Sequence, residues 1–178
     1  MSTNLERKLT MLLRFESLRE LNFRALMEVY EEGNRENAAD RYPEEPEFRG
    51  LALVEEDFRQ YLRDSFFAVH GAAYFVWAEN GRYISALRLE PYQDGLLLEA
   101  LETRPDMRRK GYAARLIRSV VEILPEGTKV YSHVSKRNTA SLKTHESCGF
   151  EKILNYAVYV DGSVLHKACT LRIVIKNQ

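Results

Sequence analysis

The sequence predicts an α/β protein of the α+β type, with one mixed, mostly antiparallel sheet of about six to seven strands and helices on both faces. Three observations predict this class. Asn80-Gly81 and Asp94-Gly95, two dipeptides typical of tight hairpins, separate three apolar runs. A strand, an amphipathic helix and another strand follow in the order of a parallel crossover. The 178 residues, 45% of them hydrophobic and without a linker-like tract, predict a single domain over residues 1–178.

Two amphipathic helices are predicted before the sheet. Apolar residues recur at helical spacing from Phe23 to Tyr30 and again from Phe58 to Phe66, so both stripes are expected to face the core. The segment between them, Asn34–Gly50, is rich in charged residues. It is therefore predicted to be a solvated connection.

The predicted strands are apolar runs rich in aromatic or β-branched residues. The first three follow each other through hairpins and lie over Tyr74–Ala78, Tyr83–Leu89 and Leu96–Thr103. The later elements are set by periodicity and by stop signals at proline and glycine. They are a helix over Ala113–Leu124, a strand Thr128–Val134 parallel to the third strand, a helix between Asn138 and Gly149, and strands Phe150–Tyr159 and Leu165–Ile175.

The stretch from Pro105 to Ala114 has the features of an anion-binding helix start. It lies between an apolar strand and an amphipathic helix, and positions 108–110 are three consecutive cations. The first N–H groups of a helix have no intrahelical partner, and with the positive end of the helix dipole they attract phosphate. Gly111 and Ala113 allow close approach of a ligand. Walker and dinucleotide-binding motifs fit less well, because their characteristic residues are absent.

Two motifs resemble a known family. Arg108-x-x-Gly111-x-Ala113 resembles the Q/R-x-x-G-x-G/A loop of the GNAT N-acetyltransferases, which holds the pyrophosphate of acetyl-CoA. The family's second pattern is N-x-x-A/S, then a tyrosine site, then Gly-Phe. It is matched in order and spacing by Asn138, Ser141, His145, Gly149 and Phe150. The resemblance covers roughly residues 72–160, and the first seventy residues match only in their expected element order.

The resemblance implies a single GNAT acetyltransferase domain that transfers the acetyl group of acetyl-CoA to a primary amine by direct attack. Acetyl-CoA would be the cosubstrate, with no metal, and the acceptor would be a small-molecule amine or a peptide amine. In the family the connection at Asn34–Gly50 often borders the acceptor pocket. The residues implied in binding the coenzyme are Leu101, Thr103, Arg108, Arg109, Lys110, Gly111, Tyr112, Ala113, Asn138 and Ser141.

An alkyl ammonium must lose a proton before it attacks a thioester, so a carboxylate base is expected, acting directly or through an ordered water. The resemblance implies Glu99 for this role. Glu102 is the alternative, and because it lies three residues further along the same strand, the two side chains are predicted on opposite faces unless a bulge intervenes. In the family a backbone N–H near Leu101 to Thr103 stabilises the oxyanion.

His145 stands where family members commonly have a tyrosine that hydrogen-bonds or protonates the coenzyme thiolate. A histidine is mostly neutral near pH 7 and then donates only through its one N–H. His145 is therefore expected to protonate the thiolate, to position the sulfur, or to pack without a chemical role. Cys148, one helical turn further on, is expected to be a packing thiol and not an acyl-carrying nucleophile.

Other function classes are compatible with parts of the sequence. A non-catalytic acyl-CoA-binding regulatory module would keep the anion site and lose the chemistry. A nucleic-acid surface over Arg104–Arg118 is disfavoured, because 26 cationic side chains balance 26 acidic ones. No apolar run is long enough to span a bilayer, so a cytoplasmic protein without a membrane partner is expected. A homodimer is also considered, because the last strand could pair or swap between protomers.

Overall fold

The computed structural model describes residues 10–176. Its strands are β1 (Thr10–Phe15), β2 (Ala73–Glu79), β3 (Arg82–Tyr92), β4 (Gly95–Thr103), β5 (Lys129–Ser135), β6 (Glu151–Leu154), β7 (Ala157–Val158), β8 (Val164–Leu165) and β9 (Ala168–Val174). Seven of them form one sheet in the order β1-β2-β3-β4-β5-β9-β6, in which only the β4–β5 pair is parallel. The predicted mixed, mostly antiparallel sheet is confirmed.

Helices cover both faces of this sheet, as predicted. They are α1 (Phe23–Val29), α2 (Glu31–Arg41), α3 (Glu47–Tyr61), α4 (Tyr112–Glu122) and α5 (Thr139–Ser147). Helix α3 continues as a π-helical turn over Leu62–Phe66. Side chains alternate along β2, so Tyr74 packs against α1 and the π-helical turn, whereas Phe75 packs on the opposite side against α4.

The prediction of a solvated connection over Asn34–Gly50 is wrong, because most of this segment is helical. Helix α2 buries only two of its residues, Asn34 and Ala38, so it has no apolar stripe that would reveal it. Acidic residues in its first turn and an ion pair of 2.8 Å between Arg35 and Glu31, one turn apart, support the helix instead. Helix α3 approaches closely at Gly50, where a Cβ would lie 3.5 Å from Ala38.

The strand boundaries differ from the prediction at both ends of the sheet. Strand β1, which pairs with β2, was not predicted. The single strand predicted over Phe150–Tyr159 is divided into β6, which pairs with β9, and β7, which turns away to pair with β8. The strand predicted over Leu165–Ile175 is divided in the same way. The chain leaves the sheet after a register shift between Lys152 and Leu154, so alternation alone did not reveal the break.

The two predicted hairpins form, but the second turn is shifted by one residue. Asn80 and Gly81 are the turn residues of the first hairpin, both with positive φ. In the second hairpin Gln93 and Asp94 form the turn, and Gly95 already belongs to β4. A glycine is needed there for a different reason, since a Cβ at Gly95 would lie 2.1 Å from the carbonyl oxygen of Lys129 on β5.

We expect Gly95→Ala to lower the free energy of unfolding by about 3 kcal/mol, because the added methyl group forces β4 and β5 apart. Gly33→Ala is the matched control. A Cβ at Gly33, within α2, meets no atom within 4 Å, so the same substitution should raise stability by roughly 0.5–1 kcal/mol. Urea denaturation of both variants measures the difference, and equal stabilities would contradict the close approach.

Candidate active site

Strands β4 and β5 separate in the middle of the sheet. Their parallel ladder contains three residue pairs, from Leu96–Val130 to Leu98–Ser132. Strand β4 nevertheless continues to Thr103 and β5 to Ser135. The two strands therefore diverge and leave a wedge, in which an extended ligand can bond to strand backbone.

The loop between β4 and α4 forms a concave turn beside this wedge. Arg109 and Gly111 adopt the left-handed conformation, with φ of 58° and 80°. Gly111 is also the N-cap of α4, and no side chain caps this helix end. Such turns at a helix start direct several N–H groups into one concavity, which suits an anion. The left-handed backbone of Arg109 costs on the order of 1 kcal/mol, and strain of this kind is concentrated at functional sites.

A cleft of about 570 Å³, here called the β4–β5 cleft, joins the wedge to this loop. Helix α2 forms its other wall with Glu32, Gly33 and Glu36. Among the residues predicted to bind the coenzyme, Lys110 alone is outside the lining, and its Nζ donates to the carbonyl of Asp106 at 3.2 Å. The nine that line the cleft are Leu101, Thr103, Arg108, Arg109, Gly111, Tyr112, Ala113, Asn138 and Ser141.

Arg108 connects three elements around the cleft. Its Nε donates to the carbonyl of Thr103 at 3.2 Å, and one Nη donates to the Glu102 carboxylate at 3.2 Å. The other Nη forms an ion pair with Glu32 of α2. These partners raise the pKa of Arg108 against the opposing effect of its partial burial. Arg108 therefore holds the loop to the end of β4 and to α2.

Asn138 and Ser141 form the opposite side of the cleft at the start of α5. The side-chain oxygen of Asn138 accepts from the N–H of Ser141 at 3.0 Å, so Asn138 is the N-cap of this helix. Thr144, one turn further along α5, also lines the cleft. This cap stabilises the helix end that lines the cleft.

His145 is enclosed by protein and does not line the cleft. The residue is 1% exposed, and its ring packs edge-on against Phe150. Its Nδ1 lies 2.8 Å from the carbonyl of Ser141, and since a carbonyl can only accept, Nδ1 carries the proton. Its Nε2 then accepts from the hydroxyl of Ser132 at 3.0 Å. Burial lowers the pKa of His145, so the neutral ring has its one N–H already committed.

A β-bulge brings the two candidate carboxylates to one face of the sheet. Arg88 pairs with Glu99 and Ala86 pairs with Glu102, so two residues of β4 stand opposite one residue of β3. Ala100, within the bulge, is left-handed with φ of 51°. Its carbonyl accepts from the Tyr30 hydroxyl at 2.6 Å. The sequence predicts Glu99 and Glu102 on opposite faces unless a bulge intervenes. A bulge does intervene, and the two residues lie on the same face.

Glu99 lies within a cluster of charged side chains. Arg88 donates to one of its oxygens from Nε and from Nη, at 3.3 and 3.2 Å. Glu90 of β3 lies on the other side of Glu99. Burial, together with the hydrogen bond to Glu99 and the charge of Glu99, raises the pKa of Glu90 to about 7. His133 of β5 is near enough for Glu99 to raise its pKa, although burial lowers it overall. Glu99 therefore has a cation on one side and a proton-sharing carboxyl on the other.

Sequence reasoning missed Arg88 and Glu90. Their signal was present, since Arg88-Leu-Glu90 places two charges on one side of a strand that is otherwise apolar. His133 lies between the rings of Tyr92 and Tyr159, with ring centroids at 5.5 and 5.3 Å. Within residues 10–176 its ring nitrogens have no hydrogen-bond partner.

A second cleft, here called the α2–α3 cleft, has a volume of about 450 Å³. Its lining includes Arg88 and Ala100 from the sheet, and Tyr30 from the turn between α1 and α2. At β4, Ala100 lines this cleft and Leu101 lines the β4–β5 cleft. The bulge thus supplies one lining residue to each cleft.

The site therefore consists of a split sheet with an anion-binding loop at its opening and a second cleft nearby. Such a site suits an extended, phosphate-bearing ligand. A sequence profile of the acetyltransferase (GNAT) family matches residues 20–150. The protein belongs to this family, and the predicted enzyme class, an acetyltransferase, is confirmed. No protein of curated function matches the sequence.

Solved structures share the fold. The ribosomal-protein-S18-alanine N-acetyltransferase from Escherichia coli is 18% identical with a TM-score of 0.60, and the alignment covers 96% of each chain. Spermidine N-acetyltransferase from Vibrio cholerae, in complex with CoA and spermine, is 18% identical with a TM-score of 0.58, over 93% of this chain and 95% of that one. An aminoglycoside acetyltransferase in complex with coenzyme A and kanamycin is 21% identical with a TM-score of 0.61, over 93% and 95%. The TM-scores and coverage show that the protein has the GNAT fold.

Residues 10–176 contain neither a membrane-spanning helix nor a metal-ligand cluster. Within this range no helix is both long and apolar enough to cross a membrane. The same range contains no group of three or more histidine, cysteine, aspartate or glutamate side chains arranged to hold a metal ion.

Glu90 gives a pH-dependent stability. Its native pKa of about 7 is above its ordinary value, so the folded state binds more protons than the unfolded state between these values, and stability falls as pH rises through them. Glu90→Gln should remove this slope. From about pH 5 to pH 8, the free energy of unfolding of the variant should rise by about 1 kcal/mol relative to that of the native protein. The effect is no larger because the side chain is only half-buried and solvent screens its charge.

Urea denaturation at both pH values measures this difference. Glu44→Gln, at an exposed position, is the control and should leave the pH dependence as it is. A Glu90→Gln variant whose stability follows the native curve at both pH values would contradict the shared proton.

Proposed function

We propose that the protein transfers the acetyl group of acetyl-CoA to a primary amine by direct attack of that amine. The observation that carries the proposal is that neighbouring residues of the β4 bulge line two clefts, one with an anion-binding loop and the other with room for a small acceptor. Relatives of the same fold crystallised with spermine or kanamycin support an amine as the acceptor.

The β4–β5 cleft would hold the coenzyme. The loop N–H groups between Arg109 and Ala113 suit the pyrophosphate, and the exposed Arg109 and Lys110 add positive charge there. The diverging edge of β4 at Leu101 to Thr103 suits the extended pantetheine arm, with Asn138 and Ser141 on the opposite wall. Arg108 would act by positioning the loop.

Glu99 would accept the proton of the ammonium, directly or through water. A free amine with a pKa near ~10.4 is almost fully protonated at neutral pH, so deprotonation is required before attack. Glu99 lies next to the bulge and beside Glu90, whose pKa is raised to about 7, so the pair can take up one proton near neutrality when both carboxyl groups are ionised. Glu102 lines the β4–β5 cleft and is the alternative base. Unlike Glu99, however, it has no neighbouring carboxyl group with a raised pKa within residues 10–176. Its carboxylate also accepts from Arg108 and from the N–H of Thr103.

Attack forms the bond between the amine nitrogen and the carbonyl carbon, the nitrogen then releases its second proton to solvent, and the carbon–sulfur bond breaks. The N–H of Leu101 is the proposed oxyanion donor, since Leu101 lines the cleft directly after the bulge and Thr103 N–H already donates to Glu102. A thiol with a pKa near ~8.5 leaves readily as a thiolate and can take its proton from solvent in the open cleft.

His145 is proposed as a positioning residue and not as the acid. Its hydrogen bonds join α5 to Ser132 of β5, which fixes the helix that carries Asn138 and Ser141. Its N–H is already donated to Ser141, and its ring is not part of the cleft wall. This supports the packing alternative over protonation of the thiolate.

Ala113→Glu tests the coenzyme site. A carboxylate in the first turn of α4 should preserve or slightly raise stability, because it complements the helix dipole. The same charge would oppose a pyrophosphate, so affinity for CoA should fall by about tenfold or more. Calorimetry with CoA and release of free thiol from acetyl-CoA with an amine panel measure the two effects.

Ala52→Glu is the control, since Ala52 is exposed on α3. It should bind CoA like the native protein. Equal CoA affinity in both variants would exclude pyrophosphate from this loop. Tight CoA binding without thiol release across the panel would instead support the non-catalytic acyl-CoA-binding module.

His145→Phe tests the positioning role. Loss of two buried hydrogen bonds should lower the free energy of unfolding by about 2 kcal/mol. The pH dependence of kcat should keep its shape, because no proton passes through this ring. His166→Phe, at an exposed position, is the control for both measurements. If an ionisation disappeared from the kcat profile of His145→Phe, the acid role would be restored.

A further inference from the structure

We propose that the acceptor is a free α-amino acid with an apolar or aromatic side chain, bound as a zwitterion in the α2–α3 cleft beside Arg88 and Glu99. This inference rests on the proposed function, because it names the acceptor of that same acetyl transfer. It follows from the charge balance, the spacing and the apolar wall of the cleft.

The charges at the α2–α3 cleft are paired, and the balance includes Glu99, which is outside the lining but contacts the lining residue Arg88. Arg41 contacts Asp57 at 2.8 Å, and both line the cleft. Arg88, also in the lining, contacts Glu99 at 3.2 Å. The remaining polar lining is neutral, from Asn34 and Asn37 among others. A polycationic acceptor requires an excess of carboxylates, whereas a zwitterion requires one group of each sign.

The Arg88–Glu99 pair has the spacing of an amino acid's charged groups. The ammonium and the carboxylate of an α-amino acid are attached to one carbon, which places them about 2.5–3 Å apart. Lying across the pair, such a molecule would direct its carboxylate to the guanidinium and its ammonium to Glu99. The ammonium would then be beside the proposed base and the bulge.

Arg88 is well suited to bind a carboxylate. Its side chain is 15% exposed, and its guanidinium lies over the rings of Tyr61 and Phe66, at 5.0 and 5.5 Å. Stacking fixes the plane of the donor fork. Both of its hydrogen bonds to Glu99 reach a single carboxylate oxygen, so the pair is not bidentate. Charge-assisted bonds to a second carboxylate are strong in such a partly desolvated place.

The rest of the cleft suits an apolar side chain. Tyr30, Val54, Phe58 and Tyr61 line it. Phe58 packs on both tyrosines, with ring centroids 5.9 Å from Tyr30 and 6.3 Å from Tyr61. The Tyr30 hydroxyl is bound to the carbonyl of Ala100, so this wall is held in register with the bulge. Apolar burial would add affinity that is independent of charge.

The test uses the native protein saturated with CoA and calorimetric titration with matched ligands. Phenylalanine is compared with phenethylamine, and leucine with isoamylamine, since each pair differs only in the carboxylate. We expect each amino acid to bind about tenfold or more tightly than its amine, and spermidine to bind no more tightly than isoamylamine. Equal or tighter binding of the amines, or no binding of either amino acid, would overturn the proposal.

Two variants locate the preference. Arg88→Met should abolish it, but this change leaves Glu99 without its cation and could prevent folding. Arg88→Lys keeps a cation beside Glu99 and avoids that risk, and it should reduce the preference severalfold because lysine lacks the donor fork. Arg49→Lys is the matched control, since Arg49 is an exposed arginine of α3 that pairs with Glu45 and lies outside the lining. A preference that Arg88→Lys and Arg49→Lys change equally would remove the charge argument.

Failure of this inference and failure of the proposed function give different results. Acetylation of phenethylamine, with phenylalanine neither bound nor acetylated, would reject the amino acid and retain the acetyltransferase of amines. Binding of phenylalanine without binding of CoA, or without acetyl transfer from acetyl-CoA, would retain the amino-acid site and reject the proposed chemistry.

Discussion

The bulge at Ala100 is the constraint on which the site depends. One extra residue in β4 places Glu99 and Glu102 on the same face, and the ladder to β5 has already ended at Leu98. The left-handed alanine costs on the order of 1 kcal/mol, which the Tyr30 hydroxyl helps to offset by bonding its carbonyl. Without the bulge, the strand would continue regularly, and Glu99 and Glu102 would lie on opposite faces of the sheet.

The anion-binding loop could be predicted from the sequence because its determinants are local. The cations at positions 108–110, Gly111 and the start of α4 lie within a few residues of each other, and helix termini impose the same chemistry in every fold. The bulge could not be predicted, since alanine rarely adopts positive φ and nothing in the run Leu96–Thr103 indicates an inserted residue. Its stabilising partner, Tyr30, is seventy residues away in the chain.

His145 shows where a motif ceases to predict chemistry. Its place on α5 and its alignment with the cap Asn138 follow from spacing. Its environment depends on Ser132, which comes from β5 and is 2% exposed. A shorter side chain at a position usually held by tyrosine reaches a hydroxyl within the core and not the cleft. The burial and hydrogen bonds of this side chain are visible only in the tertiary contacts.

Helix α2 lines both clefts, and this explains why its sequence lacks the periodicity that predicts a helix. Glu32, Gly33 and Glu36 face one cleft, whereas Asn34, Asn37 and Arg41 face the other. At 3.6 residues per turn these two sets lie roughly a third of a turn apart. A helix that presents polar side chains to two clefts retains only a narrow strip for packing, which Ala38 supplies against α3. The missing apolar stripe is therefore a consequence of its position between the two clefts, and periodicity fails where a helix is lined by clefts on two sides.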